Sequence, residues 1–375
     1  MLNKSSEIRS FLDHGDDSLA MRRLLDYSLE INQVDLLREA ISISRVFHQS
    51  PKNIDLKSLA DALLEKLNKV APPLEVNSVP LLNVKAVSKK YSGGNFSLTP
   101  ISLEINTSDV LGVVGENGNG KTTLLRCLAG QLAIDSGSID YARIPNADLF
   151  TIKNHVAFIP QRIPKWHGLL KDNLHFSASL AGIHGDRNEL MVDFMLERLN
   201  LSPYSHLTWD KISSGYRTRF EIARVLLFKP GLLILDEPLA NLDINAQQTI
   251  LTDLRFLAKS AYHPLGIILS SQQLHEVEKV ADTVMFIEQG KCLFRTGDSN
   301  VDSSVSVIEL ETSIDRASLV ASLALTDVQV QFNGGFYTLS STVLGAQELI
   351  HLVFSKGIEV TYFRDITNST KRYFN

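Results

Sequence analysis

The segment Gly115-Glu116-Asn117-Gly118-Asn119-Gly120-Lys121-Thr122 decides the fold class of this chain. It follows an apolar run at 110–114 that is typical of a buried strand, and it opens a helical pattern that continues to about residue 128. A glycine-rich turn between a strand and a helix lets successive backbone N–H groups surround a phosphate, and the helix N-terminus adds partial positive charge. The sequence therefore predicts a phosphate-binding loop in an α/β domain.

The residue types in this loop indicate a nucleotide as the ligand. Lys121 is expected to reach the β- and γ-phosphates, and the hydroxyl of Thr122 is expected to ligate Mg²⁺. ATP and Mg²⁺ are therefore the predicted cofactors. The other loop residues that we expect to bind the nucleotide are Gly115, Asn117, Gly118, Gly120 and Thr123.

A second element follows the apolar run at 232–235, where Asp236 and Glu237 come directly after the predicted strand. Open α/β sheets place their ligands at the carboxyl ends of the strands. We expect Asp236 to hold Mg²⁺ through its water shell, and Glu237 to polarise the water that attacks the γ-phosphate. Hydrolysis of ATP is the predicted reaction.

The chain divides into three segments with different periodicities. Helical spacing over 1–72 predicts three or four short helices, and the prolines of 73–80 indicate a linker. Over 81–300, apolar runs alternate with turns and helices, which predicts a mostly parallel sheet covered on both faces. Over 301–375 the order strand, helix, strand, strand, helix, strand predicts a small ferredoxin-like α+β domain with a hairpin turn at 333–335.

Composition narrows the class of protein. The chain has 375 residues and a formal net charge of -5, so a strongly basic surface for binding nucleic acid is not expected. Cys127 and Cys292 are its two cysteines and are expected to be reduced. We expect neither a signal peptide nor a membrane-spanning segment, so any work at a membrane requires a partner.

Four further motifs resemble those of the ABC family of ATPases. The segment 212–219, Ile-Ser-Ser-Gly-Tyr-Arg-Thr-Arg, resembles the ABC signature, and 240–243, Ala-Asn-Leu-Asp, resembles the D-loop. Gln161 matches the Q-loop glutamine, and Tyr91 matches the aromatic on which adenine stacks. Together with the phosphate-binding loop they extend over about 220 residues, 81–300. The resemblance implies a P-loop NTPase core of ABC ATPase type with a helical subdomain.

The resemblance also implies partners. Two ATP-binding subunits, as a homodimer or a heterodimer, would meet head to tail and enclose ATP between the loop of one and the signature of the other. Ser213 and Gly215 would then bind the γ-phosphate across the interface, with Asp243 at the nucleotide and Gln161 at the metal. An integral membrane permease would be a separate chain, and this subunit would lie in the cytoplasm on the inner face of the membrane. The chain looks most similar to subunits of bacterial type-2 ABC exporters.

The sequence departs from the family pattern at two places. Ser214 and Tyr216 replace the usual Gly and Gln of the signature, and Gln272 occupies the position of the usual switch histidine. A glutamine can donate a hydrogen bond to the γ-phosphate but carries no charge. Gln272 is therefore expected to act with Glu237 and Lys121 in catalysis, and His275 is expected on the surface of the next helix.

Two alternatives stay open at this point. A degenerate subunit would bind ATP and hydrolyse it weakly, in a regulatory role. A non-transport ABC ATPase would act on ribosomes or on DNA ends instead of a membrane protein. Trp166 and His167 also have two interpretations, as the lining of a groove for a partner or as packing of the helical subdomain.

Overall fold

A computed structural model of the chain falls into two compact units, Met1–Asp282 with Ile287–Cys292, and Thr283–Phe286 with Leu293–Asn375. The residues that the structure describes are 4–31, 33–49, 54–70, 78–91, 93, 96–142, 144, 148–260, 263–296, 305–323, 327–333 and 335–367. Most of the predicted linker at 73–80, residues 297–304 at the predicted boundary between the second and third segments, and residue 334 of the predicted hairpin turn lie outside them.

The described residues of the N-terminal segment form four helices, in agreement with the predicted three or four. They are α1 (Lys4–Asp13), α2 (Asp17–Ile31), α3 (Val34–Gln49) and α4 (Leu56–Lys69). Gly15 has a φ of 76°, which ends the first helical segment, and the Asp16 carboxylate accepts a hydrogen bond from the backbone N–H of Leu19 at 3.3 Å. Asp55 caps α4 in the same way, through the N–H of Ser58. Polar caps and apolar faces thus give a compact bundle.

The nucleotide-binding segment contains nine strands and seven α-helices within its described residues. The strands are β1 (Pro80–Lys90), β2 (Ser97–Asn106), β3 (Val110–Val114), β4 (Ser136–Tyr141), β5 (Val156–Ile159), β6 (Leu232–Leu235), β7 (Gly266–Ser271), β8 (Thr283–Glu288) and β9 (Lys291–Arg295). The helices are α5 (Lys121–Leu128), α6 (Leu149–His155), α7 (Leu170–Leu180), α8 (Asp186–Arg198), α9 (Ser214–Leu226), α10 (Ile244–Ala258) and α11 (Leu274–Val277).

The central sheet of this segment is parallel over β5-β6-β7-β3, and β8 and β9 follow β3 in the six-stranded order. Every residue of β3, β6 and β7 is buried, as expected for strands covered on both faces. The carboxyl ends of β3, β6 and β7 therefore lie side by side. Between β5 and β6 the chain forms α7, α8 and α9, and these helices are the helical subdomain.

A second sheet in this segment was not predicted. Strands β2, β1 and β4 pair antiparallel, in that order, and the β1–β2 ladder is interrupted by register shifts. The sequence over 81–300 predicts a mostly parallel sheet. The period-two pattern of β1 breaks at the register shift between Val84 and Val87, and its partner β4 lies about fifty residues along the chain, so local patterns do not predict this pairing.

The C-terminal segment has the predicted strand and helix order. It comprises β10 (Ser306–Thr312), α12 (Arg316–Leu323), β11 (Gln329–Asn333), β12 (Phe336–Ser341), α13 (Ala346–Ser355) and β13 (Val360–Asp365). The antiparallel strand order β11-β12-β10-β13 is the ferredoxin-like order. Its own apolar core includes Leu310, Leu319, Leu339 and Leu349.

Within the described ranges, no helix combines the length and the apolar character that crossing a membrane requires.

Candidate nucleotide-binding site

The loop between β3 and α5 has a backbone that requires glycine. Gly120 caps α5 with a φ of 100°, and a Cβ atom there would lie 2.5 Å from the ring of Phe96. A Cβ atom on Gly115 would lie 2.2 Å from the carbonyl oxygen of Ile287. Asn117 and Gly118 are exposed at the tip of the loop. The loop therefore keeps a bare backbone at the start of a helix, as phosphate binding requires.

Lys121 is buried, and its ammonium group is directed to the inside of this loop. Its Nζ donates to the carbonyl oxygens of Gly115 at 2.6 Å and Glu116 at 3.1 Å. It also lies 3.2 Å from Glu237 Oε1, and the Lys121 side chain is 4% exposed. A buried cation held mostly by neutral carbonyl groups is a site that an anion stabilises. The residues present thus fit a nucleotide phosphate.

Thr122 and Asp236 meet at the carboxyl edge of the sheet. Thr122 Oγ1 donates to Asp236 Oδ2 at 2.8 Å, and Ser270 Oγ donates to Asp236 Oδ1 at 2.8 Å. Hydroxyl and carboxylate oxygens are ligands that Mg²⁺ accepts alongside phosphate oxygens and water. The pair therefore fits Mg²⁺. Gln161 is also predicted at the metal, and in this structure its Nε2 donates to Glu237 Oε2 at 3.0 Å.

The carboxylate of Glu237 contacts three polar side chains, those of Lys121, Gln161 and Gln272. Its Oε2 accepts a hydrogen bond from Gln272 Nε2 at 2.8 Å in addition to the one from Gln161. Its backbone has a φ of 47°, a left-handed conformation that costs a residue with a side chain about 1–2 kcal/mol. The backbone N–H donates to Ser270 Oγ at 2.9 Å, which helps to hold that conformation.

Space for a small reactant adjoins this carboxylate. A cavity of about 210 Å³ is lined by Glu237, Asp236 and Gln161 together with residues of α9. The structure thus brings Glu237, Gln272 and Lys121 together, as the catalytic prediction requires. His275 is exposed on α11.

Tyr91 and Thr123 lie beside the phosphate-binding loop. The Tyr91 hydroxyl is 3.3 Å from Thr123 Oγ1, and its ring centroid is 6.4 Å from that of Phe96. The Tyr91 side chain is 42% exposed, so an open aromatic face is available for a flat base.

The signature and the D-loop form a second group of candidate residues. Ser213 precedes α9 with an extended backbone, and Asp243 caps α10 by accepting from the N–H of Ala246 at 2.8 Å. Ser214 Oγ donates to the carbonyl oxygen of Asn241 at 3.1 Å, and Gly215 packs against the start of α10. Ser213 and Asp243 are exposed. The two motifs support each other, on elements other than those of the phosphate-binding loop.

Two residues of the site were not found from the sequence. Ser270 joins Asp236 to the backbone of Glu237, and Phe96 packs on both Gly120 and Tyr91. A signal for Ser270 existed, because a hydroxyl at the end of the apolar run of β7 lies beside β6 in a parallel sheet.

Trp166 is buried, stacks on Trp209 at 5.1 Å between centroids, and therefore packs the helical subdomain.

Comparison with known proteins shows what the chain is similar to. The sequence model of the ABC transporter family matches residues 98–240 of this chain. An uncharacterized ABC transporter ATP-binding protein of Methanocaldococcus jannaschii is 28% identical over 246 residues, which are 64% of this chain and 86% of that protein. The methionine import ATP-binding protein MetN of Geobacillus kaustophilus is 29% identical over 220 residues, covering 56% of this chain and 64% of that protein.

A solved structure gives the same result for the fold. The structure of CbiO1 from Clostridium perfringens, described as part of the ABC transporter complex CbiONQ, matches with a TM-score of 0.53 and 25% identity. The match covers 58% of this chain and 88% of that one. The matched part of this chain is therefore an ATP-binding domain of ABC transporter type, an ATPase domain that uses ATP with Mg²⁺.

Proposed function

We propose that this protein is the ATP-hydrolysing subunit of a transporter, that it works as a dimer of ATP-binding subunits, and that it drives a separate membrane-spanning permease. The observation that carries the proposal is the placement of Glu237. Its carboxylate lies within hydrogen-bond distance of Gln161, Gln272 and Lys121, at the edge of the sheet where Thr122 meets Asp236. A carboxylate there is suited to orient a water for attack on a γ-phosphate.

Different residues of the chain bind the phosphates, bind the metal and accept the proton. Lys121 and the backbone of the loop bind the β- and γ-phosphates, and Thr122 with Asp236 holds the metal. Mg²⁺, when bound, neutralises charge on the phosphate oxygens. Glu237 accepts a proton from the attacking water, and Gln272 and Gln161 fix the direction of its carboxylate. The cation of Lys121 stabilises the charge that develops on the transferred group.

The position of the signature supports a dimer. Ser213, just before α9, and Asp243, just before α10, are both exposed. A helix N-terminus with an exposed serine is suited to bind the γ-phosphate of a nucleotide held by another subunit. A head-to-tail dimer, of two copies or of two related chains, uses both groups of residues at once.

The relatives support the permease partner. They are ATP-binding proteins of transporters, and CbiO1 is described as part of a transporter complex. On this proposal the subunit lies in the cytoplasm and binds the inner face of the membrane through its permease. Export is the direction that the signature and the C-terminal α+β domain favour, while relatives such as MetN are import proteins. In inside-out membrane vesicles, an exporter loads its cargo into the lumen when ATP is added, whereas an importer releases it.

Dimerisation and hydrolysis are tested with Glu237→Gln. The amide keeps the shape of the side chain and removes the proton acceptor, so the variant should bind ATP, lose hydrolysis, and form a closed dimer in Mg-ATP that size-exclusion chromatography detects. Thr249→Ala on the exposed side of α10 is a control that should hydrolyse ATP like the parent. Parental hydrolysis in Glu237→Gln would refute the proposed role of the carboxylate.

A further inference from the structure

The N-terminal helices contact two different parts of the ATP-binding domain. α3 binds α8, where Ser44 Oγ donates to Glu197 Oε2 at 2.8 Å and Arg45 pairs with Asp193 at 2.6 Å. α2 also binds α8, where Arg198 Nε donates to Asp26 Oδ1 at 2.6 Å. These contacts attach the bundle to the helical subdomain.

α2 binds α10 as well, which packs against the central sheet. Arg22 Nη1 donates to Asp253 Oδ1 at 3.1 Å, and the guanidinium of Arg23 lies 4.5 Å from the centre of the Phe256 ring. The bundle therefore connects the helical subdomain to the core, and α2 touches both.

Asp253 is the point at which four helices meet. Its Oδ1 accepts from Arg22 of α2 and from Arg198 of α8, the latter at 2.8 Å, and the residue itself lies in α10. Its Oδ2 lies 3.9 Å from Nη2 of Arg219, which belongs to α9, the helix that begins at the signature. Asp253 is 1% exposed and Arg198 is 1% exposed, so water screens these charges little.

The charges in this cluster are not equally satisfied. Burial by itself lowers the pKa of Arg198, but the carboxylates of Asp26 and Asp253 outweigh it and raise that pKa above its usual value. Burial lowers the pKa of Arg219, the attraction of Asp253 only partly compensates, and the positive charges of Arg22 and Arg198 lower it further. Within the described residues, Arg219 Nε and Nη2, Asp253 Oδ2 and Arg198 Nη2 have no hydrogen-bond partner, whereas Arg198 Nε and Nη1 donate to Asp26 and Asp253. Arg22 of α2 binds the same carboxylate that faces Arg219 of α9, so the contact between α2 and Asp253 affects the position of α9.

We propose that the N-terminal bundle positions the signature helix: through Arg22 and Asp26 it fixes Asp253 and Arg198, and thereby sets the orientation in which α9 presents Ser213 and Gly215 to ATP on the second subunit. This inference rests on the proposed dimer. Arg22, Asp26, Arg198 and Asp253 are positioning residues, since they act on the reaction through α9 and lie away from the phosphate-binding loop.

Arg22→Gln in the full-length protein tests the inference, with Arg22→Lys as the conservative variant. Arg9→Gln is the matched control, because Arg9 pairs with Asp61 at 2.7 Å inside the bundle and both side chains are partly exposed. Arg22→Gln should lower kcat for ATP hydrolysis about tenfold, a typical coupling between sites, and leave the Kd for a fluorescent ATP analogue within about twofold. In a Glu237→Gln background, it should raise the protein concentration needed for the ATP-dependent dimer. Arg22→Lys should recover most of kcat, and Arg9→Gln should match the parent.

Amide hydrogen exchange without nucleotide separates this inference from the proposed function. Arg22→Gln should accelerate exchange over 214–226 and leave 121–128 at the parental rate. Parental kcat and dimerisation in Arg22→Gln would overturn the inference, even with faster exchange in α9, because the contact would then be merely structural. If Glu237→Gln by itself fails to dimerise with ATP, the proposed function is wrong. If, in addition, Arg22→Gln leaves amide exchange over 214–226 at the parental rate, the inference is overturned as well.

Discussion

Gln272 donates its side-chain amide to the carboxylate of Glu237 at 2.8 Å, so the residue at the switch position directly contacts the proposed base. An amide can hold a carboxylate by a hydrogen bond, but it brings no positive charge. A histidine at the same place gains charge near neutral pH. The identity of this one side chain therefore bears on the rate of hydrolysis more than on the binding of ATP.

We predict that Gln272→His raises the ATP turnover rate with little effect on ATP affinity, because charge on the phosphoryl group grows most in the transition state. Gln272→Ala should lower turnover by about tenfold, as expected when one oriented hydrogen bond at a catalytic carboxylate is lost. Steady-state ATPase assays measure both effects.

His275→Ala is the control for this pair of variants, because its side chain is exposed on α11. It should hydrolyse ATP like the parent. Loss of activity in His275→Ala, together with parental activity in Gln272→Ala, would mean that the switch lies at residue 275.

Lys121→Ala should abolish ATP binding or weaken it strongly. The ammonium group is the cation that Gly115 and Glu116 hold inside the loop, and a charge-assisted hydrogen bond to phosphate has no substitute in alanine. Titration with a fluorescent ATP analogue measures the Kd. An unchanged Kd would contradict the placement of the phosphates at this loop.

Ser270→Ala should reduce both stability and turnover. The hydroxyl donates to Asp236 and accepts from the N–H of Glu237, and leaving buried partners unsatisfied costs about 1–3 kcal/mol. Glu237 would also lose a contact that holds its left-handed backbone. The free energy of unfolding from urea titration and the ATPase rate test the two effects separately.

Ser271→Ala is the matched comparison for that variant. Its hydroxyl donates to Glu276 at 3.2 Å, so the substitution should affect stability without the same loss of turnover. Equal turnover in the two serine variants would show that Ser270 does not position Glu237.

Removal of the residues after about 302 should leave ATP affinity roughly unaltered. The motifs of the nucleotide site all lie upstream, and the C-terminal segment buries its own core around Leu310 and Leu339. Coupling or assembly is expected to change. A shortened protein that stays in solution and fails to bind the ATP analogue would refute this prediction.

The sequence predicted those features that depend on neighbouring residues. The strand before Gly115, the helix from Lys121 and the carboxylates after β6 follow local patterns of hydrophobicity and turn chemistry. The antiparallel sheet of β1, β2 and β4 was missed, because β1 loses its alternation where its register shifts between Val84 and Val87, and because its pairing with β4 joins residues distant in the sequence.

Contacts between distant residues left no signal of this kind. Arg22 and Asp253 are 231 positions apart, and each on its own resembles an ordinary charged residue on a helix surface. The role of Ser270 was partly predictable. Its hydroxyl at the end of an apolar strand can be recognised in the sequence, but its contacts with Asp236 and Glu237 cannot.

The joint between the N-terminal helices and α8 limits how this protein can be recombined with others. Met191, Phe194 and Met195 share the wall of a cavity with Leu29 of α2. A protein that began at residue 78 would keep every nucleotide-binding motif, but it would uncover these side chains and deprive Arg198 of Asp26. Exposed apolar surface beside a broken buried ion pair favours aggregation and unfolding. We therefore expect the ATP-binding domain to be unstable without the N-terminal helices. A chimaeric protein that contains this domain should also contain residues 4–69.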